Sequence, residues 1–240
     1  MNEIIELNPL EKEIDKLIGK SNFYLQTYRA IDALSVLQQA REMMANKEVK
    51  CQLKATIYRN LGQAYVEMGK KEDGIKCFIQ SYECIEDDND KAAVAGMIAG
   101  YYLREGNKEK ALEYANNALK TAKAPELLAQ PYQIQGEVEI LNGNYAKAIE
   151  LLTKAAEQAE KAHCFTDVAM FIMDISAVFV KMGKLETALS EIYRAERYVK
   201  ECRNLDIYVR CAIRRAKILY LMGKDEEAKR LVMALDDQKN

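Results

Sequence analysis

Few residues in this chain have the type and spacing for chemistry. The single histidine, His163, stands beside Cys164. A Cys–His pair can act as nucleophile and base or as two metal ligands. Adjacent side chains at a helix end diverge, however, and do not converge on one atom, so the pair reads as the end of a loop. The acidic run from Glu86 to Asp90 lacks the alternating Asp/Asn register, the central Gly and the closing Glu of a calcium loop. It reads as a solvated loop. Other carboxylates, such as Glu109 with Glu113 and Glu186 with Glu191, keep surface spacing, and nothing marks a pair as acid and base. No phosphate-cradling glycine loop, dinucleotide fingerprint or nucleophile elbow occurs. The expectation is no catalytic residue, no metal ligand and no cofactor.

What remains is recognition chemistry. Arg210, Arg214 and Lys217, at i, i+4 and i+7, form one basic stripe on a helix. That stripe is either a solvated face or an anchor for an acidic partner. Met170 and Met173 are polarisable and flexible enough for adaptable contacts. Their alternative role is to fill space against Ile134 or a neighbouring helix.

These residues sit in a repeating frame. Gly69, Gly106, Gly143, Gly183 and Gly223 follow one another at intervals of 37, 37, 40 and 40 residues, and Tyr28 holds the equivalent place 41 residues earlier. Such a period means stacked supersecondary units. Eight residues into each unit stand Ser21, Gly62, Ala99, Gly136, Ser176 and Ala216. Twenty residues in stand Ala33, Gly74, Ala111, Ala148, Ala188 and Ala228. Small side chains at both places let two successive helices, A and B, approach closely. Large apolar residues recur around them: Tyr24, Tyr65, Tyr102 and Phe179 on helix A; Leu37, Phe78, Leu152 and Ile192 on helix B. The glycine between the helices supplies the positive φ that ends helix A.

The pattern resembles the tetratricopeptide repeat (TPR) family over about residues 14 to 235. The second unit matches at Tyr58, Leu61, Gly62, Tyr65, Gly74, Phe78 and Ser81, and the fourth at Gly143, Asn144, Tyr145, Ala148 and Ala155. The terminal Pro of the family is absent at Glu86, Lys123, Glu160 and Lys200. The units exceed the usual length by three to seven residues, as in kinesin-light-chain-like and bacterial peptide-receptor members. The resemblance implies an all-α, right-handed superhelical solenoid, one domain with repeats at about 9–46, 51–86, 91–123, 125–161, 165–202 and 205–236.

It further implies that the A helices line a concave surface. The second, fifth and ninth positions of each unit then point inward. The candidate partner-binding residues are Asn22, Arg59 and Gln63 at one end, Gln130 and Gln133 in the fourth repeat, Met170 and Met173 in the fifth, and Arg210, Arg214 and Lys217 at the other end. Between them lie the small Ala93, Gly96 and Gly100. The carboxylate grip of chaperone-binding members does not fit. Over the first three repeats its cations are missing, and over the last three Glu137 and Asp174 would repel a carboxylate.

Local signals complete the reading. Asn8-Pro9-Leu10-Glu11 is a helix start with a capping box. Pro125 and Pro131 predict an irregular or kinked beginning to the fourth repeat. Cys211, Ile218 and Met222 are expected on a C-terminal edge that no later helix covers, a possible homodimer interface, followed by a short polar tail from Asp236 to Asn240. The net charge is −2, which favours neither nucleic acid nor an anionic membrane. Glu3, Glu6, Glu11 and Glu13 argue against a secretory leader. The longest apolar run, 168–180, includes Asp174 and is too short to span a bilayer. Six cysteines without metal spacing read as reduced thiols in a cytoplasmic protein. The expected function is a non-enzymatic scaffold or adaptor binding a protein or peptide on its concave face. The alternatives are a regulatory receptor for a short signalling peptide and a self-assembling scaffold.

Overall fold

The structure, a computed structural model, describes residues 7–237, with side chains from 7 to 235. Glu3 and Glu6 therefore lie outside the described residues, as do the last three residues of the expected tail. Within them the chain is a run of α-helices joined by short turns. The helices are α1 (Pro9–Gln26), α2 (Ala30–Met44), α3 (Cys51–Glu67), α4 (Lys71–Cys84), α5 (Asp88–Arg104) and α6 (Lys108–Thr121). They continue as α7 (Pro125–Leu141), α8 (Tyr145–Lys161), α9 (Phe165–Lys181), α10 (Leu185–Cys202), α11 (Leu205–Leu221) and α12 (Asp225–Asp237). Each odd helix packs on the even helix that follows. Each even helix also meets the next odd one, and α1 meets α3, α5 meets α7, and α9 meets α11. The odd helices thus share one surface of an α–α solenoid, held by contacts between neighbouring units.

The small-residue positions mark where the helices of a pair come closest. Ser81 Oγ donates to the carbonyl of Ala55 at 2.8 Å, and Ser176 Oγ donates to that of Ala188 at 2.7 Å. Ala111, Ala148 and Ala188 are fully buried. The turn glycines adopt φ from +73° to +80°, and Tyr28 takes the same left-handed conformation at +56°. The core is a chain of clusters along the array; the largest joins α7 through α12 around Ile172, Ile192 and Leu219.

Side chains also cap one repeat with groups from its neighbour. Glu11 Oε2 accepts the Asn8 amide and Asn8 Oδ1 accepts the Glu11 amide, at 3.0 and 2.9 Å, which is the capping box. Glu11 Oε1 reaches on to the amide of Lys50, just before α3, at 3.1 Å. Backbone hydrogen bonds and the Lys50 cation hold the Glu11 carboxyl below its ordinary range, against an opposing effect of burial. Of the acidic run at Glu86–Asp90, expected as a loop, Glu86 and Asp87 lie in one and the rest is helical. Asp87 caps α5, accepting the amides of Asn89 and Asp90, both at 2.9 Å, and Asp88 to Asp90 form its first turn. Acidic residues are favoured there by the helix dipole. The expected irregular start of the fourth repeat is also corrected: α7 runs unbroken from Pro125 with Pro131 inside it. Pro131 is buried, and packing on both neighbours holds the helix where one backbone hydrogen bond is lost.

Candidate functional site

The surface shared by the odd helices changes character along the array. At its start Asn60 is buried on α3 and donates to Ser21 Oγ at 3.0 Å and to Asn22 Oδ1 at 2.7 Å, so Asn22 is exposed but tied to the next repeat. Arg59 pairs with Asp90 on α5 at 3.6 Å. Gln63 is exposed and bonds Glu67 on its own helix at 3.0 Å. In the third repeat Gly96 and Gly100 lie under Gln130: a Cβ on Gly96 would stand 2.8 Å from the Gln130 side-chain oxygen. The small surface expected there is thus partly roofed by the next helix.

The centre is charged. Gln133 donates to Glu137 at 2.9 Å, and both are half-buried. Burial first, and then the charge of Asp174, pushes the Glu137 carboxyl above its ordinary range. Burial likewise raises Asp174, against the opposing charge and hydrogen bond of Arg214. Arg214 reaches back from α11 to α9, donating Nη1 to the carbonyl of Met173 at 2.6 Å and Nη2 to Asp174 at 3.1 Å. This residue therefore docks the last repeat as well as charging the groove. Beside it, Ser176, Ala177 and Val180 of α9 and Arg214, Lys217 and Ile218 of α11 enclose a hollow of about 340 Å³ with Lys181 at its rim. Three cations surround this hollow and no carboxylate lines it. Lys181 was not singled out in the sequence. Its only signal is its place one turn beyond Ala177 on the same helix.

Several candidates fall elsewhere. Met173 is 2% exposed and belongs to the core, because α11 covers it; Met170 is half-buried and packs against the same cluster. Of the two readings of this pair, filling space holds for Met173. Arg210 is exposed and pairs with Asp206, one turn earlier, at 3.7 Å. The C-terminal edge is formed by other residues than expected. Cys211 and Ile218 are buried at 1% and 3%, since their stripe of α11 turns back onto α9 and α10; Met222 is half-buried against that core. Burial moves the Cys211 thiol up to about 11. The outward stripe carries Ile213 and Tyr220 instead. Among the described residues no group of His, Cys, Asp and Glu is arranged to hold a metal ion, and no helix is long and apolar enough to cross a membrane.

Comparison with known proteins gives the same architecture. Residues 53–124 match the tetratricopeptide repeat family model. A curated relative, photosystem I assembly protein Ycf3 of Rippkaea orientalis, is 28% identical over 122 residues, which span 49% of this chain and 69% of that protein. A signal transduction ATPase with numerous domains that has a tetratricopeptide repeat sensor, from Pyrococcus horikoshii, superposes with a TM-score of 0.77 at 18% identity, covering 96% of this chain and 37% of that one. NprR in complex with its cognate peptide NprX superposes with a TM-score of 0.68 at 14% identity, covering 98% and 69%. At these identities the likeness to the solved structures is one of fold.

Proposed function

We propose that this chain, whose residues 53–124 match the tetratricopeptide repeat model, is a non-catalytic array that binds a peptide or an extended protein segment along the surface of its odd helices. The observation that carries this reading is the charge arrangement between α7 and α11. Glu137 and Asp174 are half-buried on one side, and Lys181, Arg214 and Lys217 surround an apolar-floored hollow on the other. A ligand of mixed charge fits, with an acidic group over the hollow and a basic group beside Glu137. Charged rims of this kind steer encounter and fix orientation, while the floor of Ala177, Val180 and Ile218 provides apolar contact. The six cysteines are all free, which supports a reducing, cytoplasmic setting. A receptor for a short signalling peptide is the narrower form of this reading. It draws support from the fold shared with the NprR–NprX complex.

The test is selection of a random peptide library on the immobilised protein, followed by calorimetry of enriched peptides. The expected outcome is peptides carrying both signs of charge whose affinity falls at least about tenfold in Lys217→Glu and in Glu137→Lys. Peptides that bind both variants as well as wild type would place the binding surface elsewhere.

A further inference from the structure

Helix α11 docks into the groove between α9 and α10, and the residues that form that groove recur 40 positions later on α11 and α12. Met173 and Ile192 line the first groove and are 2% and 0% exposed; their equivalents Ile213 and Val232 are 54% and 46% exposed. The difference between the two grooves is the covering helix. The uncovered one holds about 510 Å³ over a floor of Ala216 and Ala228. Tyr220 and Met233, both 65% exposed, extend its walls. It has the helical spacing of an acceptor for one more helix: Ile213, Ala216 and Tyr220 fall at i, i+3 and i+7 on one wall, and Asp225, Ala228 and Val232 do so on the other.

Charge identifies the occupant. When α11 docks, it brings cations to carboxylates on the groove it enters: Arg214 to Asp174 on α9 at 3.1 Å, and Arg215 to Glu196 on α10 at 3.0 Å. In the terminal groove two cations join the lining: Lys217 stands where Ala177 stands upstream, and Lys229, which also meets Glu226 at 3.1 Å, stands where Leu189 stands. Asp225 is the one carboxylate in the lining. We propose that the α11–α12 groove is a docking site for an amphipathic helix of a partner protein whose apolar face is flanked by carboxylates. A second copy fits less well. Edge to edge, it would bring Lys217 and Lys229 to a groove that carries the same two cations. Head to tail, it would bring the surface of α1, where Lys12, Lys16 and Lys20 surround Glu13. The site is formed by α11 and α12, shares Lys217 alone with the lining of the hollow, and does not rest on the ligand reading above.

Two synthetic helices of about 18 residues test this, with the same leucine face and either glutamate or lysine on the flanks. Each is fluorescently labelled and titrated with the protein, with anisotropy as readout. The glutamate helix is expected to bind at least about tenfold more tightly than the lysine helix. Ile213→Glu should abolish that binding with the helical circular dichroism unchanged. The double variant Lys217→Glu with Lys229→Glu should reverse the preference between the peptides. The proposal is overturned if the two helices bind alike, if neither binds, or if Ile213→Glu leaves binding intact. A dimer in light scattering that Ile213→Glu dissolves would make the occupant a second copy and overturn it too.

Discussion

Gly62 on α3 lies so close to Phe78 on α4 that a Cβ added to it would stand 2.6 Å from two atoms of the ring and 3.1 Å from the carbonyl of Gly74. Phe78 is buried, so the ring cannot move away without disturbing its own neighbours. Gly62→Ala is therefore expected to destabilise by about 1–3 kcal/mol through overpacking. Gly19 offers the internal control: it is on exposed helix, and a Cβ there meets nothing within 4 Å. Gly19→Ala should stabilise by about 0.5–1 kcal/mol. Urea unfolding midpoints for the two variants should move in opposite directions; a shared direction would refute the close-approach account.

The same pair shows why the fold was legible in the sequence. Small residues at the eighth and twentieth places, with large ones such as Phe78 between repeats, encode a helix–helix distance directly. The site was less legible, because inward orientation was inferred from one helical register. Met173 and Ile213 occupy the same register, and one is buried while the other is half-exposed. Which of the two states applies depends on whether another helix follows, a property of the array and not of the residue. Likewise Cys211 and Ile218 are apolar positions on the last odd helix, and the sequence alone does not say which apolar stripe faces back. At Asp87 a capping Asp and a loop Asp look alike in sequence, and only the helix that begins at Asp88 separates them.

Tyr28 holds φ at +56° with its ring 91% exposed, at the place where the later repeats have glycine. A left-handed conformation costs a side-chain-bearing residue about 1–2 kcal/mol. Glycine removes that strain and gives back part of the gain through the greater freedom of its unfolded chain. Tyr28→Gly should then stabilise by about 0.5–1 kcal/mol. A lower thermal midpoint for Tyr28→Gly would show that the ring contributes contacts that outweigh its backbone strain.

Asn60 is 4% exposed and bonds Ser21 Oγ, itself 0% exposed, across two repeats. Truncation removes both hydrogen bonds that the buried Asn60 amide donates, so Asn60→Ala should cost about 1–3 kcal/mol. Ser21 Oγ also donates to the Ile18 carbonyl at 2.8 Å, so Ser21→Ala removes two hydrogen bonds. A double-mutant cycle between Asn60→Ala and Ser21→Ala should show a coupling of at least about 0.5 kcal/mol. Strict additivity would mean that the Asn60–Ser21 hydrogen bond adds nothing to the joint between the two repeats.

Glu137 and Asp174 make the stability of the array depend on pH in an unusual direction. Both carboxyls are raised above their ordinary values of 4.5 and 3.8, chiefly by burial, and each is next affected by charge: Asp174 raises Glu137, and Arg214 opposes the shift at Asp174. A group that binds its proton more tightly in the folded chain stabilises the fold at low pH. That contribution is lost as pH rises from the unfolded value through the folded one. Glu11, Asp88, Glu139 and Glu150 are shifted downward and act in the opposite sense, so the whole-protein curve mixes the two. The difference between wild type and Glu137→Gln isolates one group. Glutamine keeps the size and the hydrogen-bonding capacity toward Gln133 and removes the charge that faces Asp174. The variant should raise the thermal midpoint by about 1–3 °C at pH 7.5, for a chain of this size, and by nearly nothing below about pH 4. An equal gain at both pH values would trace the effect to packing and remove charge repulsion between α7 and α9 from the description of this groove.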